Sequence, residues 1–505
     1  MTHPNRLSSR ALAAFLVALS ATAALAQAPA QPGQDKSVSR SKVERKNRAP
    51  VSKDVLRVKL PKAVETTLDN GLSVLVLEDH RFPIVTMRLS IAGAGQIVEP
   101  ADTPGLANLT AQMLRQGTRT RNSRQLAEEI ERLGATVTAA SGYGSAAAAI
   151  NASGLSDNFD QWFALFTDVL MNPSFPADEL AKLKTRISTQ LRQQRTDPGF
   201  LADERFKAAV YGKHPASVVT TRPDVLERIT PERLAAWHRE HYAPQNAILG
   251  IAGDVNAADV IAKLKQAFAG WKKTDAKEVL PPNPGPTTAG KIYLIDRPES
   301  VQSTIVMGNI AIDRRSPDYI PLVVMDQIVG GNASARLFMN LREDKGYTYG
   351  VYSGLTAVKF PGPWSASGDF RTDVTEGAMT ELLHELRRIR EEPVPAAELE
   401  ERKRSLVASF ALSLESPAQL LNYAMLRKIY DLPADYWDAY PARILATTAA
   451  DVQRVARQYV NPETQQVVVV GDAGKIRTIL EKFGPVEVFN ADGKPVAAAP
   501  NATPR

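Results

Sequence analysis

The sequence predicts a duplicated α+β protein, two homologous units in tandem, each an antiparallel sheet with helices packed on one face. Three observations carry this reading. The segments HYAPQNAILGIAGDV (241–255) and QYVNPETQQVVVVGDA (458–473) share a Tyr, a Pro-containing turn, an apolar strand and a Gly-Asp pair. The two halves also open alike: strands at 72–77 and 85–91 lead to Pro104 and a helix, and strands at 291–295 and 303–307 lead to Pro317 and a helix. Between the halves, Leu280-Pro-Pro-Asn-Pro-Gly-Pro286 combines fixed φ angles with missing donors, so it reads as a linker.

In chain order, residues 1–26 read as an export signal. Arg6 and Arg10 precede an apolar run over 11–19, and the small-residue site Ala24-Leu25-Ala26 follows. No later run is long and apolar enough to span a bilayer, so the expected location is the periplasm, with secretion the alternative. Residues 27–60 read as a flexible basic leader, 61–278 as the first unit, 279–288 as the linker, 289–490 as the second unit, and 491–505 as a disordered tail. Within the first unit, Asn70-Gly71 before an apolar β run is a hairpin signal. Asn122-Ser123 caps a helix-period stretch stopped by Gly134, helices follow at 159–171 and 177–194, and Thr230-Pro231-Glu232 opens another. The second unit supplies helices at 375–390, 396–414 and 417–430.

The formal charge of +6 sits mainly outside the units, because residues 35–62 hold ten Lys/Arg against three Asp/Glu. The folded body is close to neutral, which argues against a nucleic-acid partner. The absence of cysteine excludes disulfides, thiolate zinc sites and thiol catalysis. Gly93-Ala-Gly95 and Ser141-Gly-Tyr-Gly-Ser145 lack the form needed to cradle phosphate, so nucleotide binding is unsupported. No Gly-x-Ser-x-Gly elbow is present, and no His reads as placed beside a carboxylate, which argues against an independent hydrolase with another site. His80, His214 and His384 read as isolated, and His238 and His241, one turn apart around Glu240, read as the end of a helix rather than as a rebuilt metal site.

Gly105-Leu-Ala-Asn108-Leu-Thr-Ala111-Gln112-Met-Leu-Arg-Gln-Gly117-Thr118 resembles the helix of the pitrilysin/insulinase family of inverted zinc peptidases, whose pattern there is G-L-A-H-x-x-E-H-M-x-x-x-G-T. Gly330-Gly331-Asn332-Ala333-Ser334-Ala335-Arg336-Leu337-Phe338, followed by Leu341-Arg342-Glu343-Asp344-Lys345-Gly346 and a strand, is similar to that family's second-domain signature. The resemblance spans roughly residues 60–485 and implies two homologous domains forming half of a clamshell. In the family, two His bind zinc and a Glu activates the metal-bound water. Here those positions hold Asn108, Ala111 and Gln112, and the resemblance puts Gln190 where the family has its third ligand, a Glu. Amides are poor zinc ligands and alanine is no base, so no metal is expected on this chain. The stretch 137–150 is strand-like and resembles the family's edge strand that pairs with an extended substrate, or is only a flat, tightly packed strand.

Arg342 and Tyr349 survive, seven residues apart across the Lys345-Gly346 helix stop. The resemblance implies that such a pair holds the substrate carbonyl as it becomes tetrahedral; the alternative is that Arg342 caps the helix and Tyr349 packs on a sheet edge. Several families of this fold divide the work between two chains, as mitochondrial processing peptidase does. The resemblance therefore implies a non-zinc subunit that binds peptide and closes on a homologous H-x-x-E-H chain carrying the zinc. A non-catalytic scaffold or peptide-binding protein of the same fold is the alternative.

Overall fold

The computed structural model describes residues 56–285 and 290–496. The expected export signal, most of the leader, residues 286–288 of the linker and 497–505 of the tail lie outside the described residues. In the first half the strands are β1 (Val64–Thr67), β2 (Ser73–Glu78), β3 (Ile84–Ala92), β4 (Thr136–Ala140), β5 (Ala147–Leu155) and β6 (Ala247–Gly253). Its helices are α1 (Leu106–Met113), α2 (Ser123–Arg132), α3 (Phe159–Met171), α4 (Ala177–Gln194), α5 (Pro198–Tyr211), α6 (Pro231–His241) and α7 (Ala257–Ala267). The second half has β7 (Ile292–Asp296), β8 (Gln302–Ile312), β9 (Thr348–Leu355), β10 (Gly362–Arg371), β11 (Gln466–Gly471) and β12 (Val486–Phe489). Its helices are α8 (Tyr319–Val329), α9 (Thr375–Glu391), α10 (Ala396–Ser413), α11 (Pro417–Ile429), α12 (Tyr440–Ala446), α13 (Ala449–Tyr459) and α14 (Ala473–Leu480).

The duplication is visible in the sheets, ordered β1-β2-β6-β3-β5-β4 and β12-β7-β11-β8-β10-β9. Their pairing is mixed rather than wholly antiparallel. β2 runs parallel to β6, and β7 runs parallel to β11 and β12, because each of these pairs is joined by long helical crossovers and not by a hairpin. The stretch 137–150 is also not one strand. It is a hairpin in which β4 is the edge and β5 lies inside, with the Gly-containing turn at 141–146 between them.

Local signals explain most helix starts. Asn122 accepts from the Gln125 amide while the Gln125 side chain accepts from the Asn122 amide, a reciprocal capping box. Thr230 and Ser416 cap helices that carry Pro at their first position, where the missing N–H costs nothing. Alternate residues of β3 (Val85, Met87, Leu89 and Ile91) are buried beneath the helices of the first half, with Trp162 of α3 among them. The second core is built likewise, with Ile305, Met307, Val351, Trp364 and Phe370 under α8 and α9.

The helices are not confined to one face or to their own half. α5, from the first half, lays Leu201, Phe206 and Val210 on Val306, Val468 and Val470 of the second sheet. α11, from the second half, lays Leu421 and Met425 on Leu75, Leu77 and Ala252 of the first. Gly250 permits this approach, since a Cβ there would lie 2.7 Å from the Met425 sulfur. The exchange ties the two halves together through buried apolar surface.

Both chain ends within the described residues are docked. Val58 and Leu60, assigned from sequence to the leader, pack on an aromatic cluster containing Phe410 and Trp437, and the Leu60 amide donates to Asp438. Residues 491–496, assigned to the tail, fold back: Gly493 accepts from Arg205 and the Val496 amide donates to Val488.

Candidate functional site

The helix expected to carry the catalytic positions, α1, begins at Gly105, whose φ of +106° and contact with the Thr221 side chain leave no room for a Cβ. The Glu99 carboxylate receives the Gly105 amide at 2.7 Å and the Ala107 amide, satisfying the first orphan donors of the helix. Burial pushes this carboxyl up to about 8, against the pull of the backbone N–H groups of Gly105, Ala107 and Asn108. Beside it the Tyr143 hydroxyl lies 2.6 Å from the Thr221 hydroxyl, and burial raises the phenol.

One turn into α1, Asn108 and Gln112 share a face, as their i, i+4 spacing dictates. The Gln112 amide nitrogen donates to Asn108 Oδ1 at 2.7 Å, and Asn108 Nδ2 donates to the Ser141 carbonyl at 2.8 Å. Ala111, between them, is buried in the core. Gln190 lies exposed on α4 and makes no hydrogen bond to either amide. A zinc ion does not fit this donor set: it contains no imidazole, thiolate or carboxylate, and the amides already engage each other and the β4–β5 turn. Among the described residues, no group of three or more His, Asp or Glu is placed to hold a metal.

The histidines resolve into separate roles. His238 Nε2 meets the Leu170 carbonyl at 2.8 Å, and burial pushes the ring down to about 4. His241 Nδ1 meets a different carbonyl, Gly93, and its ring stacks on Trp237 at 3.7 Å. The two rings thus hold the end of α6 in place. His214 is buried against Tyr211 and Phe360, and His384 is exposed on α9. His80 corrects the sequence reading: its Nδ1 lies 2.7 Å from Asp254, whose other oxygen accepts the Ser156 hydroxyl at 2.7 Å. The hydrogen bond to Asp254 raises this ring. A partner 174 residues away leaves no local sequence signal. Ser156 bonds the carboxylate and not the imidazole, so the three do not form a nucleophile–base relay.

The second half presents the surviving pair. The chain after α8 closes on β9 through Gly330, where a Cβ would lie 2.5 Å from the Ser353 amide nitrogen. Asp326 of α8 accepts both the Ser353 hydroxyl at 2.6 Å and the Trp364 indole N–H at 2.8 Å, bolting α8 to β9 and β10. Burial raises this carboxyl while its two donors lower it. Arg342 lies in a π-helical turn over Met339–Asp344, ended by Gly346 at φ +64°. Such wide turns recur at functional sites.

The structure brings Arg342 and Tyr349 together. Arg342 Nε donates to the Tyr349 backbone carbonyl at 3.1 Å, its guanidinium stacks over Phe338 at 5.2 Å, and Glu343 pairs with it. The guanidinium reaches across to β9 and does not cap its own helix. Tyr349 is 90% exposed on an edge strand and does not pack on the sheet. Glu99, Ser141, Asp326, Phe338 and Glu343 shape the two sites, and sequence reasoning did not single out these roles; only the embedding signatures pointed to their neighbourhood.

This fold and these two sites define a peptidase-like half-clamshell whose metal-ligand positions carry amides. Comparison with known proteins agrees. The model described as insulinase (peptidase family M16) matches residues 73–224, and that described as peptidase M16 inactive domain matches 228–406. The chain belongs to the insulinase, or M16, peptidase family. Its relatives include an uncharacterized zinc protease of Rickettsia bellii, 24% identical over 80% of this chain and 96% of the relative, and the uncharacterized zinc protease YmxG of Bacillus subtilis, 23% identical over 69% and 84%. Among solved structures, a peptidase M16 inactive domain from Pseudomonas fluorescens superposes with a TM-score of 0.76 at 27% identity, covering 81% of this chain and 98% of that one. A protease from Helicobacter pylori shares the fold with a TM-score of 0.75 at 19% identity, over 82% and 100%.

Proposed function

We propose that this protein is the non-zinc subunit of a periplasmic two-chain metallopeptidase, which binds peptide and stabilises the scissile carbonyl from its second half. The observation that carries the reading is the joined Arg342–Tyr349 pair, with Tyr349 90% exposed to solvent, on a chain whose α1 carries amides at 108 and 112. As a peptide carbonyl becomes tetrahedral its oxygen gathers negative charge. A guanidinium and a phenol are donors that match that charge, and each such donor lowers the barrier by about 3–4 kcal/mol when it is oriented beforehand. Glu343, Phe338 and the Tyr349 carbonyl supply that orientation for Arg342.

In this reading the homologous H-x-x-E-H partner carries the zinc and activates water, and this chain alone is catalytically silent. The test is turnover of the reconstituted pair. Arg342→Ala is expected to lower kcat by about 100- to 1000-fold and Tyr349→Phe by a smaller factor, with assembly unchanged. Unchanged turnover in both would favour the scaffold reading.

A further inference from the structure

We propose that the second sheet holds a subsite for a basic side chain of a bound peptide, with Asp369 as its anion; this deepens the reading above by naming what the chain selects in its substrate. Asp369 sits where the pairing of β10 with β9 shifts between Gly368 and Phe370. A bulge of this kind re-aims a side chain and recurs beside functional sites. Directly opposite on β8 is Thr304, only 8% exposed, whose hydroxyl donates to Asp369 Oδ1 at 2.5 Å and fixes the carboxylate. Among the described residues the carboxylate takes this hydroxyl and no cation.

Asp369 faces a cavity of about 340 Å³ between α5 and the sheet, floored by the hydroxyls of Thr304, Ser365 and Ser367. The one cation on its wall, Lys207, is paired with Asp203 at 3.0 Å along α5. The cavity therefore holds one carboxylate without a cation partner, the exposed Asp369, beside the Lys207–Asp203 pair and the hydroxyls, which suits an ammonium or guanidinium. Its two carboxylates, one of them already paired with Lys207, are too few hard ligands for a divalent cation.

The occupant is a peptide rather than a free amine because a second cavity of about 420 Å³ adjoins the first, sharing Lys207 and Thr356. Its wall is largely apolar, with Tyr211, Val358, Phe360 and Tyr430. A cation and a bulky apolar group on one chain fill both spaces.

The test uses the full chain without its partner, titrated by fluorescence anisotropy against a labelled unstructured peptide carrying one arginine near a phenylalanine. The same peptide with alanine or glutamate replacing the arginine is expected to bind about tenfold more weakly or worse. Asp369→Asn should erase that preference, and Thr304→Val should reduce it about threefold while leaving the alanine peptide unaffected. Equal binding of the three peptides by the unaltered chain, no binding of any, or a preference that survives Asp369→Asn would overturn the subsite. A preference that depends on Asp369, together with turnover indifferent to Arg342→Ala and Tyr349→Phe, would leave the subsite standing and remove the catalytic reading instead.

Discussion

The two halves share one strand order but use their equivalent helices differently. In the first half, α1 carries Asn108 and Gln112, partly exposed amides that bond each other and the turn beyond the edge strand β4. In the second, α8 carries Asp326, a buried carboxyl that bolts the edge strand β9 to the core. The first half thus presents neutral groups that satisfy one another. The second braces β9, from which Tyr349 projects into solvent while Arg342 reaches its backbone carbonyl from the preceding turn.

That contrast can be broken most severely at Asp326. Asp326→Ala leaves the Ser353 hydroxyl and the Trp364 indole N–H buried without a partner and opens a small void, a loss of about 3 kcal/mol by chemical denaturation. Asp326→Asn keeps an oxygen for both donors and is expected to cost less than half as much. Equal losses would mean that the carboxyl's role lies outside these two bonds.

A smaller effect distinguishes the start of α1. The Glu99 carboxyl is pushed from its ordinary 4.5 up to about 8 by burial. A raised acid binds its proton more tightly when folded, so its contribution is full below about pH 4.5 and is lost as pH rises toward 8. The free energy of unfolding should therefore fall from pH 5 to pH 8 by more in the unaltered chain than in Glu99→Gln, a difference of about 1–2 kcal/mol by chemical denaturation after allowing for partial exposure. A parallel pH profile in the variant would show that the backbone N–H groups outweigh burial.

The mildest substitution is Asn108→Ala. It frees Gln112 and the Ser141 carbonyl, both near enough to solvent to rehydrate, and should cost about 1 kcal/mol. A loss as large as that at Asp326 would erase the distinction drawn between the halves.

Local patterns announced much of this architecture. The Asn122 cap, the helices at 159–171 and 177–194, and the Gly-Asp repeat are written in neighbouring residues and were legible from them. What the sequence concealed is nonlocal. An apolar stripe on α5 or α11 says that the helix is buried but not against which sheet, so the exchange between halves was hidden. The hairpin inside 137–150 was hidden by its small residues, which read continuously although Gly144 takes φ +76°. Arg342 and Tyr349 stood out through the resemblance of the signature around them, yet the carboxyl that braces β9 lies 27 residues from its Ser353 partner and has no motif of its own.

The central proposal is that this chain lends hydrogen-bond donors to a peptide carbonyl while another chain holds the zinc. The direct measurement is the zinc content of the complex recovered on the tagged protein from its native periplasm. Close to one zinc per pair of chains is expected, travelling with a homologous H-x-x-E-H subunit and lost when that subunit is stripped away. Zinc retained by this chain alone would contradict it, because the amides at 108, 112 and 190 would then have to be ligands.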